Sequence, residues 1–253
     1  MKKSFLNLPT PPLVAMIQCK TEKECIEKIN RSLKSGAEAF GIQLCRLEEN
    51  ERTDEKLTKV FSACKNLPIY VTSYRAGTNE NYTDEQCAEV LIRALKAGAT
   101  LCDVRGDMFD ENVYQITTNE QAVKKQKELI ETIHKSGGEV LISTHDFREL
   151  SAEEIFDIAK LQAKHGADVI KIVVKSENIK MLPEYIKVIQ KVKSELKKPF
   201  LFLDVGACSN ILRKIGGELG SCMYLCVESH NELDTPAQPT IKKVLQIRNA
   251  MEK

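Results

Sequence analysis

The chain lacks any apolar run long enough to cross a bilayer. Runs such as Val169-Ile170, followed after Lys171 by Ile172-Val173-Val174, fall far short of the roughly 20 residues a spanning helix needs. Neither sign of charge is in excess: 37 Lys+Arg stand against 36 Asp+Glu, a net charge of +1. No chain-wide basic field therefore exists for nucleic acid or an anionic membrane surface. The basic start Met1-Lys2-Lys3-Ser4-Phe5-Leu6-Asn7-Leu8-Pro9 lacks the apolar stretch of about 7–15 residues that marks a signal peptide, so a cytoplasmic location is expected. Nine cysteines, an odd number scattered along the chain, argue against a disulfide framework and for a reducing compartment; most read as small core side chains. Cys222-x3-Cys226 has no second Cys or His pair nearby, and no metal is expected there. A G-x-G-x-x-G turn is also missing after the first strand, where Ile17-Gln18-Cys19-Lys20-Thr21 stands. That sets aside a nucleotide-binding doubly wound sheet, and no cofactor is expected.

What is present is ordinary globular material: 253 residues, 42% hydrophobic and 29% charged, enough for one sizeable core. One unit recurs, a helix ending in a basic residue and glycine and then at once a β-branched or apolar run. The copies are Leu33-Lys-Ser-Gly36, Leu95-Lys-Ala-Gly98, His134-Lys-Ser-Gly137 and Ala163-Lys-His-Gly166, each leading into a strand-like segment. Lysine complements the negative end of the helix dipole, and glycine takes the left-handed position that closes the helix. Filling the gaps predicts strands near 12–18, 39–44, 69–74, 101–105, 139–144, 169–174, 200–205 and 223–227. Helices are predicted near 23–35, 54–65, 84–97, 119–136, 151–165, 183–197, 209–217 and 240–252. Thr83-Asp-Glu-Gln86 and Ser151-Ala-Glu-Glu154 are helix-start signatures, the second a capping box. No linker interrupts the series, so the expected fold is α/β, a single (β/α)8 TIM barrel domain over residues 1–253.

Barrel chemistry sits at the C-terminal ends of the strands. Strand six places Lys171 amid apolar residues, on the same face as Val169 and Val173 by two-residue alternation. If that face points inward, desolvation favours the neutral amine, which can attack a carbonyl carbon. The plainer alternative, that Lys171 snorkels to water or pairs with a buried carboxylate, stays open at this point. Strand five ends Ser143-Thr144-His145-Asp146-Phe147, which brings His145 to the same rim. An imidazole beside an imine can take the proton from the adjacent carbon and return it later. His134 and His165 close helices, where the dipole accounts for them. His230 lies in a loop near the rim.

With these residues in place the chain resembles the type I 3-dehydroquinate dehydratases, Schiff-base barrel enzymes of the shikimate pathway in aromatic amino acid biosynthesis. The family's Ser-x-His-Asp/Asn-Phe is matched by Ser143 to Phe147, and Ala-Asp-x-x-Lys-Ile by Ala167 to Ile172. Arg-x-x-Gly-x-x-x-Gly-Ser is matched by Arg213 to Ser221, and the lid motif Pro-Gly-Gln by Pro236-Ala237-Gln238. The resemblance implies that Lys171 forms the imine, His145 is the general acid/base, and Arg213 and Gln238 bind the carboxylate and hydroxyls of a small keto acid. Loss of the β-hydroxyl as water would turn 3-dehydroquinate into 3-dehydroshikimate. A homodimer is the assembly it allows.

The pattern also breaks. The family's Glu-x-Arg on strand two is Gly41-Ile42-Gln43 here; its Arg after strand three is Tyr74, its histidine-orienting Glu is Thr78, and its lid serine is Asp234. Strand four carries Asp103-Val104-Arg105 in place of Asp-Val-Glu. Gln43, Tyr74, Arg75 and Asp234 are accordingly the further substrate-binding candidates, Arg75 (like Glu80) only if its loop is reshaped. Lost hydroxyl-gripping groups weaken transition-state binding. Provided the backbones of strands two and three match the family's, the expected remedy for dehydroquinate turnover is Gly41→Glu with Gln43→Arg and Tyr74→Arg with Thr78→Glu, both pairs together. The alternatives are an imine-forming dehydratase or aldolase on another small hydroxy-keto acid, or a paralogue that binds small carboxylates without turnover.

Overall fold

A computed structural model describes residues 3–8 and 10–251. Eight strands, β1 (Leu13–Ile17), β2 (Ala39–Gln43), β3 (Ile69–Thr72), β4 (Leu101–Arg105), β5 (Glu139–Asp146), β6 (Val169–Val174), β7 (Phe200–Asp204) and β8 (Tyr224–Cys226), alternate with eight helices. These are α1 (Glu22–Lys34), α2 (Asp54–Ala63), α3 (Asp84–Ala97), α4 (Glu120–Lys135), α5 (Ala152–His165), α6 (Leu182–Lys191), α7 (Ser209–Leu219) and α8 (Ile241–Met251). The strands are parallel, in the order β7-β6-β5-β4-β3-β2-β1-β8. The sheet curls until its edges meet, where the Cys222 N–H donates to the Phe200 carbonyl at 2.9 Å. This is the expected single-domain (β/α)8 barrel.

Alternation along each strand makes two cores. Outward residues such as Ile42, Val71, Cys102, Ile142, Ile170 and Phe202 pack against the helices, while Met16, Tyr70, Leu141, Val169, Val173 and Leu201 fill the barrel. The glycines of the recurring unit adopt the conformation read from sequence: φ is +95° at Gly36, +128° at Gly98, +77° at Gly137 and +111° at Gly166. Capping boxes start α1 at Thr21/Glu24, α3 at Thr83/Gln86 and α5 at Ser151/Glu154; only the last was read as a box from sequence.

Several boundaries differ from expectation. β3 stops at Thr72, which pairs with Asp103, and Tyr74 belongs to the following loop. β5 runs on to Asp146 because His145 and Asp146 pair with Val173 and Val174 of β6. After α6 the chain continues through a wider turn, Val192–Leu196, so residues 183–197 are not one regular α-helix. The predicted end of the last helix, at 252, lies outside the described residues. Among the described residues no helix is long and apolar enough to cross a membrane.

Candidate active site

Lys171 points inward from the middle of β6 with its side chain 5% exposed, among three oxygen partners. Its Nζ donates to Tyr74 Oη at 2.8 Å, Tyr70 Oη at 3.0 Å and Asp103 Oδ2 at 3.1 Å. Asp103, wholly buried on β4, accepts in addition from Tyr70 Oη, from Tyr74 Oη at 2.6 Å and from Ser143 Oγ at 2.5 Å. The plainer sequence alternative is thus half right: Lys171 pairs with a buried carboxylate, and it also lines a cavity.

The electrostatics follow from burial. Desolvation pulls the Lys171 ammonium below the ordinary lysine range; Asp103 opposes that shift and Arg213 adds to it. Burial alone would raise Asp103, but the Lys171 charge and the hydroxyl hydrogen bonds hold it below the usual carboxylate range. Burial, with the Asp103 charge, pushes both tyrosines well above the phenol range, so they stay protonated as donors. Side-chain amide atoms of Gln162 on α5 grip the backbone of Lys171: Oε1 accepts its N–H at 3.1 Å and Nε2 donates to its carbonyl at 3.0 Å.

His145 emerges from the end of β5 with its ring edge-on to Tyr74, centroids 5.4 Å apart. Burial first, then the neighbouring Lys171 charge, drives its imidazole down to about 3, so it is neutral at physiological pH and able to accept a proton. Its backbone N–H and its ring Nδ1 both meet Gln115 Oε1 at 3.2 Å.

A cavity of about 150 Å³ brings Lys171, His145, Tyr74, Gln43, Arg213 and Gln238 together, with apolar walls that include Met16, Val173, Leu203 and Leu225. Arg213, 6% exposed on α7, donates from Nε to the Asp204 carbonyl at 2.7 Å and has no carboxylate partner among the described residues. Burial lowers it to about 10, still cationic at neutral pH. Its remaining guanidinium donors suit a carboxylate. Gln238 accepts from Gln18 Nε2 at 3.2 Å. Thr72 Oγ1, on the cavity wall, is buried without a hydrogen-bond partner.

Other sequence candidates lie outside this cavity. The Arg75 guanidinium is held by Asp84, by Asp107 at 3.0 Å and by Glu111 at 3.4 Å. Asp234 is locked to Lys28 at 2.8 Å, both side chains 3% exposed or less. Thr78 donates to the carbonyls of Cys45 and Leu47, away from His145. The reversed charge at Arg105 is balanced locally by Asp107 at 2.9 Å. A wider groove of about 400 Å³ carries Lys193, Lys197 and Lys198 but lies apart from these groups, alongside Pro11 and Pro199 at the opposite ends of the strands.

Sequence reasoning missed Asp103, Tyr70 and Gln115. The first had a signal, an acid at an inward position of the apolar run Leu101-Cys102-Asp103-Val104. Tyr70 lies on the inward face of β3, four residues before Tyr74 in the loop that follows. Gln115 gave none, because it reaches the site from a loop.

The model of the type I 3-dehydroquinase family matches residues 13–253. The chain is 26% identical over 204 residues to the 3-dehydroquinate dehydratase of Clostridium kluyveri, covering 79% of this chain and 75% of that one. Among solved structures, 3-dehydroquinate dehydratase from Geobacillus kaustophilus superposes with a TM-score of 0.84 at 13% identity, covering 100% of this chain and 96% of that one. The type I enzyme from Clostridium difficile, solved with covalently modified comenic acid, gives 0.81 at 20% identity, covering 99% and 98%.

Proposed function

The chain belongs to the type I 3-dehydroquinase family, and from that premise we propose that it converts 3-dehydroquinate to 3-dehydroshikimate through an imine on Lys171. The observation that carries the reading is the inward lysine 3.1 Å from a buried carboxylate, in a cavity shared with a neutral histidine and the unpaired cation Arg213. Passing one ammonium proton to Asp103 frees the amine. The amine adds to the ketone carbon, and loss of water from the carbinolamine gives the iminium. His145 removes a proton from the adjacent carbon, and the electron pair moves into the enamine. The β-hydroxyl then leaves as water with the proton that His145 returns, and hydrolysis of the new imine consumes the water released earlier. The net change is loss of one water. Arg213 holds the carboxylate, with Gln238 and Gln43 as further polar contacts.

One observation favours a second reading, the same chemistry on a less hydroxylated keto acid: Met16 and Tyr70 fill the wall beside Gly41, where the resemblance puts a hydroxyl-binding carboxylate. Borohydride reduction in the presence of dehydroquinate, followed by mass spectrometry, tests the class; an adduct on Lys171 supports it and its absence at full occupancy contradicts it. Turnover of dehydroquinate against simpler hydroxy-keto acids separates the two readings. Nine cysteines without a disulfide support the proposed cytoplasmic setting. The proposed partners are the keto acid and, for assembly, a second copy in a homodimer, with neither nucleic acid nor membrane.

A further inference from the structure

His145 has no carboxylate behind it in the loop after β3, where Thr78 is turned to the Cys45 and Leu47 carbonyls. The loop after β4 supplies a substitute. A side chain on Gly106 would place its Cβ 2.6 Å from the Gln115 carbonyl oxygen and 2.9 Å from Thr144 Oγ1, so the bare glycine lets this loop fold down onto the end of β5. There the Gln115 carbonyl accepts from Thr144 Oγ1 at 3.0 Å, and the Thr117 N–H donates back to the Gly106 carbonyl at 3.0 Å. Asn112 Nδ2 donates to the Asp110 and Ile116 carbonyls and braces the turn. At its apex Gln115 adopts φ +50°, a left-handed conformation that a residue with a long side chain holds only when its surroundings impose it. The result aims Oε1 at the residue next in line.

We propose that Gln115 is the positioning residue for His145, fixing the tautomer that the acid/base step requires. A backbone N–H can only donate, so the Gln115 atom 3.2 Å from the His145 N–H is the carbonyl oxygen. The same oxygen lies 3.2 Å from Nδ1, and a carbonyl oxygen only accepts. Nδ1 therefore carries the proton, and Nε2, which has no hydrogen-bond partner among the described residues, keeps the basic lone pair. A neutral amide orients the ring without stabilising its cation, whereas a carboxylate at the same place would do both. The charges facing the imidazole are Lys171 on β6, Asp103 and Arg105 on β4 and Arg213 on α7, with the Tyr74 ring against its edge. Only Asp103 favours the protonated form.

The inference rests on the imine reading for its catalytic meaning, but its test does not need turnover. His145, assigned by the resonance lost in His145→Ala, is titrated by nitrogen-15 NMR in the parent, in Gln115→Ala and in Gln115→Glu. The parent is expected to hold the Nδ1–H tautomer, Gln115→Ala to mix the two tautomers, and Gln115→Glu to titrate about 1–3 pH units higher. In kinetics, Gln115→Ala lowers kcat about ten- to a hundred-fold with KM little changed. Gln115→Glu makes kcat fall on the acid side at a pH where the parent is still flat, since the base form of His145 is lost below its pKa. A parent tautomer ratio retained in Gln115→Ala, or an unmoved titration in Gln115→Glu, overturns the inference. A parent that forms no borohydride adduct counts against the imine reading, while the tautomer and titration of His145 still decide the role of Gln115.

Discussion

Met16 occupies the place that a side chain at residue 41 would need. A Cβ built on Gly41 overlaps Met16 Sδ and lies 3.1 Å from Tyr70 Cδ1. For Gly41→Glu and its three companion changes to restore a hydroxyl-binding site, the flexible end of Met16 has to move aside and residue 78 has to give up the Cys45 and Leu47 carbonyls that Thr78 now holds. Gly41→Glu should destabilise by about 1–3 kcal/mol, the usual cost of overpacking, read as a fall in Tm. Met16→Ala in the same chain should recover part of that loss.

Removing Lys171 does more than remove a nucleophile. Asp103 is wholly buried and its charge is answered by Lys171 at 3.1 Å, so any neutral residue at 171 leaves that carboxylate without its cation. Lys171→Met should abolish borohydride trapping and cost about 3–5 kcal/mol through the orphaned carboxylate. Lys171→Met with Asp103→Asn should regain most of the stability and none of the activity. The pH dependence separates the forms. In the parent the depressed Asp103 stabilises the fold above its unfolded pKa, and that contribution is lost as pH falls through the folded value. In Lys171→Met burial raises Asp103, so acidification should relieve the penalty; chemical denaturation across acidic pH reads the inversion.

His145→Ala should leave imine formation intact, because the Lys171 contacts do not include the imidazole. Turnover should fall by roughly 10²–10⁴, the scale of general acid-base catalysis. Stopped-flow trapping and steady-state rates on one sample check both halves; an unchanged rate moves the proton transfer to another group.

Arg213 is a buried cation with no carboxylate partner among the described residues. Arg213→Met should therefore keep or raise Tm, since an uncompensated charge leaves the interior. kcat/KM should fall about ten- to a hundred-fold as the charged hydrogen bonds to the substrate carboxylate disappear. Calorimetry and kinetics together decide, and a loss of stability without loss of affinity would make Arg213 structural.

The barrel was legible because its signals are local. Lysine-glycine helix ends and strand alternation need only neighbours in sequence, and the inward face of Lys171 followed from Val169 and Val173. Strand ends were less legible: β5 extends through His145 because β6 offers partners for it, a fact about another strand. The site was read as far as its strands carried it. Arg75 was a candidate by its place after β3, yet Asp84 at the start of α3 and Asp107 after β4 claim its guanidinium. Asp234 is claimed in the same way by Lys28, 206 residues away. Gln115 was invisible because its approach depends on a bare Cα at Gly106 and a left-handed turn, neither of which leaves a periodic trace.

The unpaired cysteines give the barrel a built-in clock. Eight of the nine thiols are buried and only Cys222 is half-buried, with burial raising that thiol to about 12. An alkylating reagent at neutral pH thus finds little thiolate on the folded surface and must wait for the chain to breathe. The order in which Cys25 and Cys87 under the helices, Cys102 in the sheet and Cys226 at the closure become labelled would time the opening of each sector. The seam where β8 meets β7 can in this way be watched separately from the layer between sheet and helices.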